Sequence, residues 1–530
     1  MKNFFYIFTL IALVLLTEAL SSCHPSPKND SNNRLKNEIL TPAEVKKLIK
    51  AGIVKYSDFK AKGDGITNDM GAIVATHAFA NKNNLKVKAD DGATYYIGPE
   101  DRTATIKTNT DFGTAKFIID DSNVSNRSSF IFSVEASEGS FKLGEYAITS
   151  LKKGQTNIGI RLPAESIAFA TNTGKRQYIR YGANHNDGTP QSDLFIVDKD
   201  GNIDITTPVI WDFENVTDLE FRIIDKKPIT ISGGEFTTIA NVPDNKYTNR
   251  GFSIKRSNVV IKEMKHFIKN ESSEVAPYNG FLNITTCSNI KILNCTFTGH
   301  IPPIIKGIRT GSYDITISKT INVEIIDCKQ SNDINNARFW GLMGTNFCKN
   351  ITLKNCVFSR FDAHQGVYNT TISGCSLGWQ GVSIIGSGEL LIENSTINGS
   401  SMVNLRSDYG STWEGTIKIK DCIFIPKNKD YASIIGGFNN EQHDFGYICY
   451  MPESITIENL NIDDSKQSVI YSGPSVFGDF NKNKKDNTYV VKYPYIITKD
   501  VYLKNVKSSS GKELILSYNK YMFKDIVIHK

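Results

Sequence analysis

From Ile229 to about Lys507 the chain repeats one short pattern. Apolar and polar residues alternate over a brief run, which ends in Asn, Asp or Gly and then a small residue that is most often Cys. Ile290-Lys291-Ile292-Leu293-Asn294-Cys295 and Val323-Glu324-Ile325-Ile326-Asp327-Cys328 are two copies; Ile351-Thr352-Leu353-Lys354-Asn355-Cys356 and Ile417-Lys418-Ile419-Lys420-Asp421-Cys422 are cleaner still. Alternation with period two turns Ile, Leu and Val to one face and Thr, Lys and Asn to the other, so each copy predicts a β-strand. The positions Cys295, Cys328, Cys356, Cys375, Ser395 and Cys422 recur every 19 to 33 residues, the size of one coil in a stacked repeat. Strands of successive coils lie roughly 4.7–4.9 Å apart, so these thiols are expected to form an inward ladder of small hydrophobic groups.

Ahead of the repeat the pattern changes several times. Phe4 to Leu16 is a short apolar run after Met1-Lys2-Asn3, the form of a secretory leader, and it ends Leu20-Ser21-Ser22-Cys23, which resembles a bacterial lipobox. The resemblance implies cleavage before Cys23 and a lipid on its thiol. The expected location is therefore that of an exported lipoprotein, in the outer membrane or on the cell surface. Residues from His24 to about Lys36 are mostly Pro, Ser, Asn, Asp and Lys, a flexible stalk. Thr41-Pro42-Ala43-Glu44 is a capping box that starts a helix fading near Gly52. Then comes Asp58-Phe59-Lys60-Ala61-Lys62-Gly63-Asp64-Gly65-Ile66-Thr67-Asn68-Asp69, with a helical stretch to about Phe79.

That phrase resembles the N-terminal segment of the pectate-lyase superfamily, whose members are right-handed parallel β-helices among polysaccharide lyases, glycoside hydrolases and phage tailspikes. The resemblance implies an all-β fold: a single-stranded parallel β-helix whose open first coil is plugged by a short helix. Asp64 and Asp69 then serve the turn. Gly63 and Gly65 permit it, and Thr67 or Asn68 caps the helix. The organisation read from the chain is leader 1–22, stalk 23–40, cap and first coils 41–142, a β excursion 143–214 of longer hairpin-like strands, and the main β-helix 215–530. Within the excursion, Asp198-Lys199-Asp200-Gly201-Asn202 is read as a turn; it has only a fragment of a calcium loop's ligands. Lys175-Arg176-Gln177-Tyr178-Ile179-Arg180-Tyr181 interleaves basic and aromatic residues and is read as a solvated or sugar-contacting strand edge.

Composition narrows the partners. The chain has 530 residues, 22% charged, with a net charge of +6. That permits an anionic ligand and does not argue for nucleic acid. No Cys pair has the close Cys-x-x-Cys spacing of a zinc site, and no other metal ligand set is apparent. Cys287, Cys348 and Cys449 lie outside the ladder and carry no assigned role. No motif fixes a cofactor; calcium is the one ion kept in view. Nothing indicates an oligomeric state.

The candidate chemistry is concentrated between Arg338 and Glu414, which holds three of the four Trp. A β-helix has a packed interior, so function belongs on an outer face. Asp362 and His364, two apart, share a face, and Arg406 and Asp408 do the same on a later coil. Arg338 and Arg360 occupy matching Arg-Phe-x4-Gly segments and are expected to stack. Trp340, Trp379 and Trp413 offer flat faces for sugar rings, with Glu414 beside the last. A polysaccharide of uronic acids can be cut by removing the proton beside its carboxylate while cations neutralise that carboxylate. His364 is the candidate base, Tyr409 the acid, and Arg338, Arg360 or Arg406 the clamps. A hydrolase instead needs two flanking carboxyls, which Asp362 with Asp408, Asp333 or Glu414 could supply. A glycan-binding or adhesive β-helix without catalysis is the third reading. The superfamily's polygalacturonase and pectate-lyase signatures are not found in register, so no site residue carries over from the resemblance. The reading taken forward is a polysaccharide lyase.

Overall fold

The computed structural model describes residues 40–143, 148–182 and 185–530; the leader, Cys23 and the stalk lie outside them. Two compact units divide the chain, Met1–Lys47 and Leu48–Lys530. Thr41 Oγ1 accepts from the Glu44 amide at 3.3 Å and the Thr41 amide donates to the Glu44 carboxylate at 2.6 Å, so the capping box is formed and α1 (Pro42–Ala51) follows it.

The second unit is a right-handed parallel β-helix whose coils contribute one strand to each of up to three parallel sheets. The first sheet stacks the copies of the repeat. Ile229, Val259, Ile290, Val323 and Ile351 are register partners in turn, as are Ile231, Ile261, Ile292, Ile325 and Leu353 two positions on. All of these side chains are buried. The period-two alternation of the sequence is therefore an aliphatic ladder.

The residue that ends each copy turns the chain. Asn294, Asp327, Asn355, Asn394, Asp421, Asn459 and Asn505 all have φ between 47° and 54°. Asn, Asp and Gly reach that left-handed region at lowest cost, which explains their choice. The next residue then points inward: Cys295, Cys328, Cys356, Cys375 and Cys422 are buried free thiols. Cys295 N–H donates to Cys328 Sγ at 3.4 Å, and Ser395 takes the same place below Cys375. A second turn carries an asparagine ladder. Asn289 Nδ2 donates to Asn258 Oδ1, Asn322 to Asn289, and Asn350 to Asn322, at 3.1, 3.1 and 2.9 Å.

The N-terminal phrase folds as a turn. Asp69 accepts from the amides of Lys62 and Gly63 and Asp64 from those of Ile66 and Thr67. Asn68 Oδ1 accepts from the Met70 amide at 3.1 Å and opens α2 (Met70–Asn83), which buries Met70, Ile73, His77 and Ala80 against the first coils. The excursion is a four-stranded antiparallel sheet from Ser140–Lys142, Ser166–Gln177, Thr189–Val197 and Asp218–Ile223; the first and last of these in chain order lie just beyond the range read from sequence. A buried ion pair fastens it to the helix, with Lys349 Nζ 2.7 Å from Asp193 Oδ1. Tyr178 also packs edge-on to Phe347 and Tyr409.

Candidate active site

The third sheet carries a groove of about 1050 Å³. Its floor comes from successive strands: Asn279–Thr285, Tyr313–Ser318, Met343–Lys354, Phe361–Ser373, Val382–Ile384 and Ser401–Leu405. Its walls come from loops. A small hairpin, Ile304–Ile305 with Ile308–Arg309, stands on one side, and the end of the excursion brings Arg180 to the other.

Asp362 is the electrostatic hub. It is fully buried, and both oxygens are held by arginine: Arg360 Nη2 on Oδ2, and Arg406 Nη1 on Oδ1 at 2.8 Å. Burial works against the ionised carboxyl, but these two cations outweigh it and hold Asp362 below the usual carboxylate range. Arg406 then grips Asp408 with two further N–H groups, at 3.2 and 2.7 Å, and Arg180 Nη2 reaches Asp408 at 2.8 Å. Charges thus alternate along Arg360, Asp362, Arg406, Asp408 and Arg180. Arg406 stays protonated despite burial because it touches two carboxylates. Arg360 Nε and Arg180 Nε are buried and have no partner among the described residues.

His364 shares the outward face with Asp362, while Ala363 between them is buried. Burial, and then the Arg406 cation, push the imidazole down to about 4, so it is neutral at pH 7. Its Nδ1 lies 3.1 Å from Asn346 Oδ1. With Nδ1 donating to that oxygen, Nε2 carries the lone pair and has no hydrogen-bond partner among the described residues. Tyr409 stands edge-on to the imidazole, ring centres 5.4 Å apart.

Of the residues singled out from sequence, Trp340, Arg360, His364, Trp379, Arg406 and Asp408 line this groove, with Asp362 beneath them. Others are elsewhere. Tyr409 is 1% exposed and under the floor, so as acid it is corrected to a support for His364. Trp413 is in the core, its Nε1 bonded to Gly388 O and Thr416 O at 3.2 Å, and offers no face to a sugar. Glu414 lines a separate small cavity and pairs with Lys153 at 2.6 Å. Arg338 is exposed outside the groove lining and does not stack on Arg360. The two Arg-Phe segments are 22 residues apart, whereas Thr345 pairs with Ala363, so the coil there is four residues shorter. Trp340 and Trp379 reach the groove, but cations already lie on them: Arg360 is 4.8 Å from the first ring centre and Lys427 5.2 Å from the second.

Sequence reasoning missed Tyr313, Asn346, Arg309 and Lys427. Tyr313 lines the groove with its hydroxyl 3.4 Å from Asp362 Oδ2. It opens an unremarkable strand, and only the packing of its ring against Gly344, with the hydroxyl toward Asp362, gives it a place. Arg180 did have a signal, the basic and aromatic run of the excursion.

A calcium ion does not fit the residues considered for it. Asp198 Oδ1 accepts from the amides of Asp200 and Asn202, and Oδ2 from Asn202 Nδ2, which makes a turn. Asp200 is paired with Arg161 and Lys199. In the groove, Asp362 and Asp408 are both engaged by arginines.

No protein-family model and no curated protein sequence matches the chain. Among solved structures it is similar to the tailspike of Pseudomonas phage phi297, at 14% identity and a TM-score of 0.51, covering 90% of this chain and 84% of that one. The tailspike of Pseudomonas phage LKA1 follows at 12% identity and a TM-score of 0.43, over 88% and 83%. The tailspike of Acinetobacter baumannii bacteriophage AP22, solved with a capsular saccharide, is at 11% and 0.44, over 86% and 76%. Stacked coils, an α-helical plug and the match along nine-tenths of the length agree: the chain has the right-handed parallel β-helix fold.

Proposed function

We propose that the groove binds an anionic polysaccharide and cleaves it by β-elimination, on a protein exported and tethered through Cys23. The observation that carries this is the pairing of a neutral imidazole, with one free lone pair, to a row of arginines whose two carboxylates are already spent. Uronate carboxylate docking against Arg180, Arg360 and Arg406 acidifies the adjacent C5–H. His364 Nε2 takes that proton, and the C–H pair becomes the C4=C5 double bond. The C4–O bond breaks with its electrons on oxygen, and that oxygen takes a proton from the Tyr313 hydroxyl. A carboxylate arriving beside His364 also raises its proton affinity toward the range a general base needs.

Hydrolysis fits less well. A glycosidase needs one carboxyl kept protonated, and Asp362, between two arginines, is held ionised. The test is product analysis after incubation with polygalacturonate, alginate, hyaluronan and neutral glycans. Ultraviolet absorbance from an unsaturated uronate is expected, and it should vanish in His364→Ala. New reducing ends without that absorbance would replace the lyase by a hydrolase, and binding without cleavage would replace it by a glycan receptor. For the tether, Cys23→Ser should release the exported protein from membranes.

A further inference from the structure

The groove's cations fall into two groups. Arg180, Arg360 and Arg406 share Asp362 and Asp408, so their charge is largely balanced within the protein. Arg309 and Lys427 have no carboxylate within ion-pair distance among the described residues. Asp333 favours the charged form of Lys427 from beyond ion-pair distance.

Arg309 is nevertheless well fixed. Its guanidinium carbon lies 5.6 Å from the ring centres of both Trp340 and Trp379. Its Nη2 donates to Ala337 O and Arg338 O at 2.8 and 3.2 Å, which leaves Nη1 and Nε without acceptors among the described residues. The hairpin that carries it is pinned by Thr310 N–H to Pro303 O at 2.8 Å. Trp379 is anchored through Nε1 to Phe339 O at 2.9 Å, and Lys427 lies over the same indole. Desolvation works against the charge of both cations; Asp333 partly opposes it at Lys427, and no carboxylate among the described residues pairs with either. A guanidinium held on aromatic rings keeps its planar fork and loses little freedom on meeting an oxyanion.

Resting on the glycan reading of the groove, we propose that Arg309 and Lys427, set on Trp340 and Trp379, form a second anion-binding position. It holds a carboxylate or sulfate of a sugar unit other than the one that reacts. The substrate class is then a polymer charged on more than one unit within the span of the groove, and the protein selects for charge density. Arg309 and Lys427 are specificity residues here, and the indoles serve as their support.

The experiment measures binding of two-unit and six-unit oligomers of polygalacturonate and of alginate by calorimetry, in a His364→Ala background so that nothing is consumed. In the Arg309→Met/Lys427→Met variant the hexamer should bind at least tenfold more weakly, with dimer affinity within twofold of the parent. Arg309→Gln with Lys427→Gln repeats the test with polar side chains, and unchanged melting excludes a folding defect. Equal weakening of dimer and hexamer would assign these cations to the reacting position and overturn the proposal. Unchanged hexamer affinity would overturn it while leaving the glycan reading intact. Failure of the parent to bind any oligomer would remove both.

Discussion

If His364 is the base, the acid limb of the pH–rate profile belongs to it, and its position is set by named neighbours. Burial is the largest influence on the imidazole, Arg406 the next, and both lower it; Asp362 and Asp408 oppose them, leaving it at about 4. The base form is the neutral one, so activity is lost as pH falls through that value and is insensitive to this group above it. At pH 7 a group titrating near 4 is protonated in only ~0.1% of molecules. For the free enzyme kcat/KM should therefore be flat from pH 7 to about 5 and fall below that. Arg406→Met removes a cation in close contact with the site while the carboxylates remain. Loss of one close charge is worth ~1–3 pKa units, so the limb should move up toward the ordinary imidazole value of 6.5.

The assay is the initial rate of unsaturated-product formation between pH 3.5 and 8, fitted for the apparent pKa and not for absolute rate, since Arg406→Met also weakens substrate binding. Direct titration of the His364 ring protons by NMR gives the same quantity without substrate. A wild-type limb near 6.5, or one that stays put in Arg406→Met, would refute the electrostatic account. Substantial turnover in His364→Ala would refute the assignment itself.

Three further outcomes follow from the scaffold. Lys349→Met leaves Asp193 buried without its cation at the junction of excursion and helix, a loss of ~3–5 kcal/mol; a lower melting temperature and faster hydrogen exchange over 189–197 are expected, and Lys349→Met/Asp193→Leu should recover most of it. Asn322→Ala breaks two ladder bonds and places alanine at φ 57°, whereas Asn322→Gly breaks the bonds alone. Denaturant melts should rank Gly above Ala by ~1 kcal/mol, the left-handed cost of a side chain. The eight described cysteines are free and buried, so a thiol reagent should label none of them in the native protein and all of them in denaturant.

The scaffold was legible because each coil states its own rule. An apolar residue at every second position, a left-handed Asn or Asp, then an inward Cys can be recognised one copy at a time, and the copies must stack to bury what they present. The groove obeys no such local rule. Asp362 and His364 could be seen together because residues two apart on a strand share a face, whereas Arg406 and Asp408 meet at the start of a short 3-10 turn, Ser407–Tyr409, just past the end of their strand. Tyr313 and Asn346 acquire their positions only through register between coils of unequal length, and the same inequality misplaced Arg338. Trp413 was misjudged because alternation cannot tell a wide aromatic turned into the core from one turned to solvent.

Arg180 shows the limit most clearly, since it meets Asp408 from 228 positions away in sequence. Its place depends on Lys349 and Asp193 seating the excursion and on Tyr178 packing beside Tyr409. A loosened excursion would withdraw one of the two arginines on Asp408 and leave the other, Arg406, with a larger share of that carboxylate. In the proposed mechanism, activity and docking of the excursion are thus one equilibrium seen from two ends, and damage to the buried Lys349 pair should reach the groove through Arg180.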